Sequence, residues 1–379
     1  MIPSHNGFEK MRVLMLNYEF PPIGGGAANA NKHIFDQFSE DKDLEIDLIT
    51  SSKDDYKKVR YSKNITLYRL DVNKEKHHHW KQSEILKYTW KAFEKSLSLR
   101  KRKNYDLIHA WFTIPCGAIP YLAGFDEPLL ISLRGSDVPG YNQRFTLQYK
   151  ILKPLVKRVW KRGDRVVANS EDLKELALET SPEKDIDVIS NGVDTEKFTP
   201  NYEINEKIRI ICVSRLVERK GIDYLIKAIK DLRVDLEIVG KGKQEEDLKN
   251  LVNNLGLDDK VKFIGRVPHE KIPEYYRNSD IFALPSFYEG MSNSVLEALA
   301  SGLPLVLTDT GGSSRLVDNN GKIVPKRNIE KLKEAIKDLM SNKERLWKMG
   351  RRSREISLKM SWKDVAERYL KTYEEIRRL

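Results

Sequence analysis

The sequence is poor in cysteine and has no long hydrophobic run. Cys116 and Cys212 are its only cysteines in 379 residues, which excludes a disulfide framework or a cysteine zinc cluster and favours a reducing compartment. Nowhere do about eighteen apolar residues run together, the length that a membrane-spanning helix needs. Residues 1–10 are polar and do not resemble a signal peptide. We therefore expect a cytoplasmic protein.

Positive charge outweighs negative charge. The formal net charge is +11, from 67 Lys and Arg against 56 Asp and Glu. An excess of this size favours an anionic partner such as nucleic acid, anionic lipid or a phosphorylated substrate. Hydrophobic residues make up 40% and charged residues 32% of the chain, which is typical of a globular protein. The length suits two domains.

Short apolar segments alternate with amphipathic helical segments in both halves, which predicts parallel sheets in an α/β fold. The predicted strands are residues 12–16, 46–50, 107–110, 129–133, 165–168, 188–190, 208–213, 236–239, 261–264, 281–284, 305–308 and 322–324. We predict two Rossmann-like domains, residues 1–196 and 197–360, joined by a linker at 195–207 and facing a central cleft. Residues 361–379 are predicted to form one more helix. Ligands are expected beyond the carboxyl ends of the strands.

Two loops at such strand ends are candidates for binding an anion. Residues 21–26 hold Gly24, Gly25 and Gly26 before a predicted helix, whose N–H groups suit an anion or a closely packed ligand. Residues 214–221 hold Arg215 and Lys220, which could both reach a diphosphate. The alternatives are a tight strand-to-helix turn for the first loop and a solvated basic loop for the second.

A third loop, residues 287–297, carries two glutamates eight positions apart, Glu289 and Glu297. Two such carboxylates can accept hydrogen bonds from hydroxyls on different parts of one ligand. The helix that follows can be capped by Ser292, Asn293 or Ser294, and its dipole can hold a phosphate or a sugar oxygen. Taken alone, Glu297 could instead be a partner of the helix dipole.

The third loop resembles the E-x7-E signature of retaining glycosyltransferases with the GT-B fold, specifically glycosyltransferase family 4. The similarity extends over nearly the whole chain. Its other pieces are the glycine loop and residues 105–110, 134–137, 191–194, 214–216, 220–221, 240–242 and 309–312. Each piece is weak alone, but their order and their places at strand ends make the set specific.

The resemblance implies roles for the matching residues. Arg215 and Lys220 would neutralise the donor diphosphate. Glu289 would contact the sugar, and Glu297 would hold the ribose hydroxyls. His109 would lie close to the transferred sugar. The catalytic residues would be Glu289, His109, Arg215 and Lys220. The remaining donor-side residues would be Gly25, Gly26, Gly240, Gly290, Met291 and Ser292, and the acceptor-side residues Gly24, Arg134 and Asp137.

The implied reaction moves a hexose-type sugar from a UDP- or GDP-sugar to a hydroxyl of a glycan or lipid-linked acceptor, with retention of the anomeric configuration. In the favoured front-face displacement, the leaving diphosphate helps to deprotonate the acceptor, so the main demand is charge stabilisation on that leaving group.

The final helix would pack back on the first domain. Two positions depart from the family: Arg134 stands where histidine is frequent, and Arg315 where glutamate is frequent. Both leave the choice of substrates open.

No catalytic metal is expected. Asp-x-Asp occurs at 41–43 and 185–187, but each pair precedes a predicted strand and so lies away from the expected ligand. His77, His78 and His79 have no paired carboxylates or cysteines nearby and are interpreted as a polar loop. We predict a metal-independent enzyme without a cofactor, the nucleotide-sugar being a substrate.

Basic and apolar residues are interleaved over 143–162, and 100–103 is a basic run. Such stretches can lie on anionic lipid at the inner face of the cell membrane, although ordinary helices with solvated faces are the alternative.

Two other functions compete: a nucleotide-sugar epimerase on the same fold, and a non-catalytic subunit that binds sugar nucleotides or nucleic acid. No recognised nucleic-acid motif is present, and the E-x7-E arrangement with its basic loop argues against the epimerase.

Overall fold

The computed structural model describes residues 10–75, 80–141, 146–288, 291–310, 312 and 314–378. The elements up to residue 190 are β1 (Met11–Leu16), α1 (Gly26–Phe38), β2 (Leu44–Ser52), β3 (Lys57–Arg60), β4 (Ile65–Asp71), α2 (Gln82–Arg100), β5 (Leu107–Trp111), α3 (Ala118–Leu122), β6 (Leu129–Leu133), α4 (Thr146–Arg162), β7 (Arg165–Ala168), α5 (Glu171–Leu178) and β8 (Asp187–Val188). The later elements are β9 (Arg209–Val213), α6 (Ile222–Ala228), β10 (Asp235–Val239), α7 (Glu245–Asn254), β11 (Val261–Gly265), α8 (Ile272–Arg277), β12 (Ile281–Leu284), α9 (Asn293–Ala300), β13 (Leu305–Thr308), β14 (Gly321–Val324), α10 (Ile329–Met340), α11 (Lys343–Leu358) and α12 (Trp362–Arg377).

The chain divides into two compact units. Unit 1 is Met1–Ser190 together with Trp362–Leu379, and unit 2 is Asn191–Ser361. The predicted boundary after residue 196 lies farther along, because the chain on both sides of residue 196 is already bonded into unit 2. The backbone N–H of Val193 donates to the carbonyl of Met360 at 2.8 Å, and that of Asn205 donates to Asp280 Oδ1 at 2.9 Å.

Unit 1 contains an eight-stranded sheet in the order β3-β4-β2-β1-β5-β6-β7-β8. Its strands pair in parallel except β3, which pairs antiparallel with β4 at the edge. Every residue of β5 and β6 is buried, as expected for central strands covered on both faces. The strand order reverses at the pair β1 and β5, so the loops after these two strands flank a topological switch point.

Unit 2 contains a six-stranded parallel sheet in the order β11-β10-β9-β12-β13-β14. Each strand corresponds to one predicted from the sequence. The order reverses at the pair β9 and β12. The loop that carries Arg215 and Lys220 and the loop that leads to Glu297 therefore leave adjacent strands at the switch point of this unit.

The last helix, α12, belongs to unit 1. Its buried residues include Trp362, Val365, Tyr369 and Tyr373, which confirms the predicted helix and its buried face. The ring of Trp362 stacks on His33 of α1 with centroids 4.9 Å apart. The hydrophobic core of unit 1 therefore includes residues from both ends of the chain.

Candidate functional site

Glycines bring the loops at the carboxyl edge of the unit 2 sheet into backbone contact. Gly221 has φ +61°, and a Cβ added there would lie 2.3 Å from the carbonyl oxygen of Pro285 in the loop after β12. Gly240 has φ +137°, and a Cβ there would lie 1.8 Å from the carbonyl oxygen of Ser214. Real Cβ atoms do not approach oxygen this closely, so both positions require glycine. The loops after β9, β10 and β12 consequently form one cluster.

The two predicted phosphate-binding cations occupy different environments in this cluster. Arg215 is exposed, whereas Lys220 is only 6% exposed and ends a short 3₁₀ turn, Glu218–Lys220. The backbone N–H of Phe287 donates to the carbonyl of Arg219 at 2.7 Å. That bond fixes the start of the E-x7-E segment against the basic loop. The carboxyl edge of the unit 2 sheet therefore carries a buried lysine, an exposed arginine and the start of this segment side by side.

Four predicted donor-side residues follow Phe287 along the chain, at positions 289–292. Glu289 and Gly290 lie outside the described residues. Met291 is partly buried against the core of unit 2, and Ser292 is buried at the N-cap position of α9. The side chain of Ser292 does not cap the helix, since its Oγ lies 3.1 Å from Ser294 Oγ instead.

Glu297 lies in the second turn of α9, and both of its carboxylate oxygens contact other side chains. Tyr276 Oη donates to Oε2 at 2.9 Å, and His269 Nε2 lies 3.1 Å from Oε1. The Glu297 side chain is 13% exposed. The alternative of a simple helix-dipole partner is not favoured, because these contacts direct the carboxylate towards α8 and the loop before it. Neither Tyr276 nor His269 was singled out from the sequence.

The glycine loop of unit 1 already faces a carboxylate. The backbone N–H of Gly25 donates to Glu19 Oε2 at 3.3 Å, and Trp80 Nε1 donates to Glu19 Oε1 at 3.0 Å. Gly24 has φ +106°, and a Cβ there would lie 2.7 Å from that of Glu19, so it too requires glycine. By contrast, open space lies in front of Gly25 and Gly26. The expectation that this loop receives a phosphate is weakened, because Glu19 would repel a second anion at the Gly25 N–H.

His109 lies in the middle of β5 and is 1% exposed. Its Nδ1 lies 2.7 Å from Tyr373 Oη of α12, and its Nε2 lies 2.7 Å from Ser132 Oγ of β6. Burial, with a smaller contribution from the charge of Arg134, lowers the pKa of His109 to about 3. This geometry holds a neutral imidazole inside unit 1 and does not favour the implied contact with a transferred sugar, which stays a prediction.

The two remaining acceptor-side residues lie beyond the end of β6. Asp137 is buried, which raises the pKa of its carboxyl. Its Oδ1 accepts from the N–H of Arg134 at 2.9 Å, and its Oδ2 accepts from that of Thr113 at 2.8 Å. Asp137 therefore ties the loop after β6 to the turn after β5. The Arg134 guanidinium lies over the ring of Trp111 at 4.5 Å from its centroid, at the end of β5.

The first Asp-x-Asp pair lies apart from these loops. Asp41 and Asp43 precede β2, at the edge of the sheet opposite the loop clusters, and His77, His78 and His79 lie outside the described residues. Arg315, the second departure from the family pattern, is exposed in a short 3₁₀ turn, Ser314–Leu316. Within the described ranges, no three His, Cys, Asp or Glu side chains form a group that could hold a metal ion. Metal independence stays a prediction.

Two Rossmann-like units, each with its loops at a topological switch point, are the architecture of GT-B glycosyltransferases. Solved structures of glycosyltransferases have the same fold. Sucrose-phosphate synthase from Thermosynechococcus elongatus aligns with a TM-score of 0.83 at 20% identity, covering 97% of this chain and 99% of that chain. The family described as Glycosyltransferase Family 4 matches residues 24–197, and that described as Glycosyl transferases group 1 matches residues 194–356. The chain belongs to glycosyltransferase family 4.

Its relatives include an uncharacterized glycosyltransferase, MJ1178, of Methanocaldococcus jannaschii. That protein is 27% identical over 372 residues, which are 97% of this chain and 99% of the relative. A second relative is the GDP-mannose-dependent alpha-(1-6)-phosphatidylinositol monomannoside mannosyltransferase of Mycobacterium tuberculosis. It is 29% identical over 242 residues, which are 57% of this chain and 63% of that protein. The similarity to glycosyltransferases thus extends along the chain.

Proposed function

We propose that the chain is a retaining, metal-independent hexosyltransferase. It moves a sugar from a UDP- or GDP-sugar to a hydroxyl of a glycan or lipid-linked acceptor, with the donor bound by unit 2. The observation that carries this proposal is the buried ammonium of Lys220, on a loop bonded through Arg219 to the start of the E-x7-E segment. The relative that uses GDP-mannose supports a nucleotide-diphosphate donor.

The chemistry follows from the charge that develops on the leaving group. The bond between the anomeric carbon and the diphosphate oxygen breaks, and negative charge grows on the diphosphate. A buried cation acts on that charge more strongly than one in water, since the local dielectric constant is lower. The acceptor oxygen bonds to the anomeric carbon on the face that the diphosphate leaves, and the acceptor proton passes to a diphosphate oxygen. The configuration is retained without a protein nucleophile.

The test removes both cations. A thermal-shift screen of nucleotide sugars first names the donor. The double variant Arg215→Ala/Lys220→Ala is then expected to lose at least about 100-fold in kcat, the usual scale for losing transition-state charge stabilisation. Full activity in that variant would refute the phosphate role. Incubating the donor without an acceptor tests the competing epimerase, which needs no second substrate.

Arg219→Ala is the matched control for this test. Arg219 lies on the same loop and carries the same charge, but its contact with Phe287 uses the backbone carbonyl, which alanine retains. Activity close to that of the wild type is expected. An equal loss in the control would mean that the loop needs positive charge in general rather than at positions 215 and 220.

We also propose that the protein is cytoplasmic and touches the inner face of the membrane through α4. In the described part of the chain, no helix is both long and apolar enough to cross a bilayer. Leu147 and Ile151, one helical turn apart on α4, are 72% and 70% exposed. The exposed lysines of the same helix are Lys150, Lys153, Lys157 and Lys161. Exposed apolar side chains on the same helix as exposed lysines fit an anionic lipid surface.

A further inference from the structure

Two hydrogen-bond donors from separate positions converge on the Glu297 carboxylate. Tyr276 on α8 reaches Oε2, and His269 on the connection between β11 and α8 reaches Oε1, so each oxygen receives one bond. The Tyr276 ring is fully buried beside Phe198 and Phe282, with ring centroids 5.8 and 6.2 Å away. A rotation of the carboxylate would break both bonds. The side chain is therefore held in one orientation.

The structure also fixes which atoms donate. Burial, followed by the Glu297 charge, raises the pKa of Tyr276 well above its usual value, so the phenol keeps its proton. The carbonyl oxygen of Ser294 lies 3.2 Å from the same hydroxyl, but the carboxylate is closer and charged. Lys197 Nζ lies 2.8 Å from His269 Nδ1. Because an ammonium can only donate, Nδ1 accepts and Nε2 carries the proton that goes to Glu297.

A carboxylate offers about four acceptor positions, two on each oxygen. Among the described residues, Tyr276 and His269 occupy one position on each oxygen, which leaves one position on each. Two remaining acceptors on adjacent oxygens match two adjacent hydroxyls, the arrangement at the 2′ and 3′ positions of a ribose. We propose that Tyr276 and His269 are positioning residues that orient Glu297 to accept from both ribose hydroxyls of the donor nucleotide. This inference rests on the proposed function.

Discrimination between ribonucleotides and 2′-deoxynucleotides should follow. A 2′-deoxy nucleotide leaves one carboxylate acceptor without its hydroxyl, and hydrogen bonds to charged groups are costly to lose. The expected penalty is about 10- to 100-fold in Kd. If Tyr276 or His269 is removed, the carboxylate can rotate, so binding of the ribonucleotide weakens while binding of the deoxy form hardly changes. The ratio of the Kd for the deoxynucleotide to the Kd for the ribonucleotide therefore falls. A merely structural defect would not change this ratio, since it would weaken the binding of both nucleotides alike.

The experiment is isothermal titration of the full chain with UDP, GDP and their 2′-deoxy counterparts. Tyr276→Phe and His269→Ala are each expected to reduce the deoxy-to-ribo Kd ratio at least about threefold, and Glu297→Gln to abolish most of it. His269→Gln should restore the ratio, because its amide N–H can replace the Nε2 donor. Tyr275→Phe is the matched control. It removes a hydroxyl from the adjacent residue of α8, and among the described residues no hydrogen bond joins Tyr275 to Glu297, so the ratio should not change.

The outcomes separate this inference from the function beneath it. A wild-type ratio in Tyr276→Phe and His269→Ala, with Glu297→Gln impaired, would overturn the positioning role and leave the transferase intact. An unaffected ratio in Glu297→Gln would overturn the ribose contact itself. If the wild-type chain bound no nucleotide at all, the proposed function would fall first. Circular dichroism of each variant establishes that it is folded.

Discussion

Gly221 and Gly256 share a left-handed backbone but differ in their surroundings. Their φ angles are +61° and +64°, yet a Cβ at Gly221 would lie 2.3 Å from the Pro285 carbonyl oxygen, whereas a Cβ at Gly256 would meet no atom within 4 Å. Gly256→Ala should therefore cost about 1–2 kcal/mol for the backbone alone. Gly221→Ala adds overpacking of about 1–3 kcal/mol. We expect urea unfolding to show the larger loss of stability for Gly221→Ala.

Equal losses in these two variants would show that the backbone conformation, and not the contact between loops, requires glycine at 221. Activity offers a second comparison. Gly256 is remote from the loops after β9 and β12, so Gly256→Ala should retain transfer, while Gly221→Ala displaces the loop that ends at Lys220.

His109 is predicted to destabilise the fold in acid. Its pKa is about 3 in the folded chain, because it is buried, and about 6.5 when unfolded. Between these values the unfolded chain binds a proton that the folded chain refuses, so stability falls as the pH falls below about 6.5. Between pH 7 and pH 5 the loss is about 2 kcal/mol from this group. His109→Gln cannot titrate, so its stability deficit relative to the wild type should shrink by that amount, as measured by urea unfolding at both pH values.

Parallel stability profiles for the wild type and His109→Gln would contradict the neutral buried imidazole. The control is His33→Gln. His33 is a histidine of the same unit that is partly exposed and stacked on Trp362. A change at His109 alone locates the effect in the hydrogen-bonded layer under α12.

At the scale of elements, the strand predictions succeed throughout unit 2 and fail at one side of the unit 1 sheet, in the edge strand β3 and its neighbour β4. All six strands of unit 2 are short apolar runs, and all were predicted. In unit 1, β3 and β4 were not. The four residues of β3 are all exposed and three of them are basic, so no apolar pattern marks them. In β4, Ile65 and Leu67 alternate with β-formers such as Thr66 and Tyr68, a signal that could have found it.

The loops of the candidate site could be predicted from the sequence, but the contacts between them could not. Glycine loops and charged motifs are local patterns, so their places at strand ends could be predicted. The partners of Glu297 could not, because His269 and Tyr276 are 28 and 21 residues away along the chain. Glu19 lies just before the predicted glycine loop at 21–26, and an acidic residue beside an expected anion site was a usable warning.

Helix α4 provides a prediction of its own. If Leu147 and Ile151 insert between lipid headgroups, Leu147→Ser/Ile151→Ser should reduce co-sedimentation with vesicles of anionic lipid by roughly tenfold or more, since burying each side chain is worth about 1.5–3 kcal/mol. Leu86→Ser is the matched control, because Leu86 is 69% exposed on α2. No binding of the wild type at low salt would end the proposal, and so would an equal loss in the control.

For the whole molecule, the two units are predicted to respond differently to a nucleotide. Unit 2 presents the cations Arg215 and Lys220 at its switch point, whereas the corresponding glycine loop of unit 1 faces Glu19. A diphosphate should therefore protect the backbone of residues 214–221, 240–242 and 286–288 from hydrogen exchange. Residues 24–26 should change little when UDP or GDP is added without a sugar.

Peptide-level hydrogen exchange with and without the nucleotide measures this pattern across the chain. Glu19→Gln sharpens the test: if its charge is what keeps an anion from the Gly25 N–H, the variant should gain protection at residues 24–26 while the response of unit 2 is unchanged. Protection at 24–26 in the wild type, with none at 214–221, would instead assign the diphosphate to unit 1. That result would contradict the proposed role of Lys220, because the leaving diphosphate would then bind to the other unit.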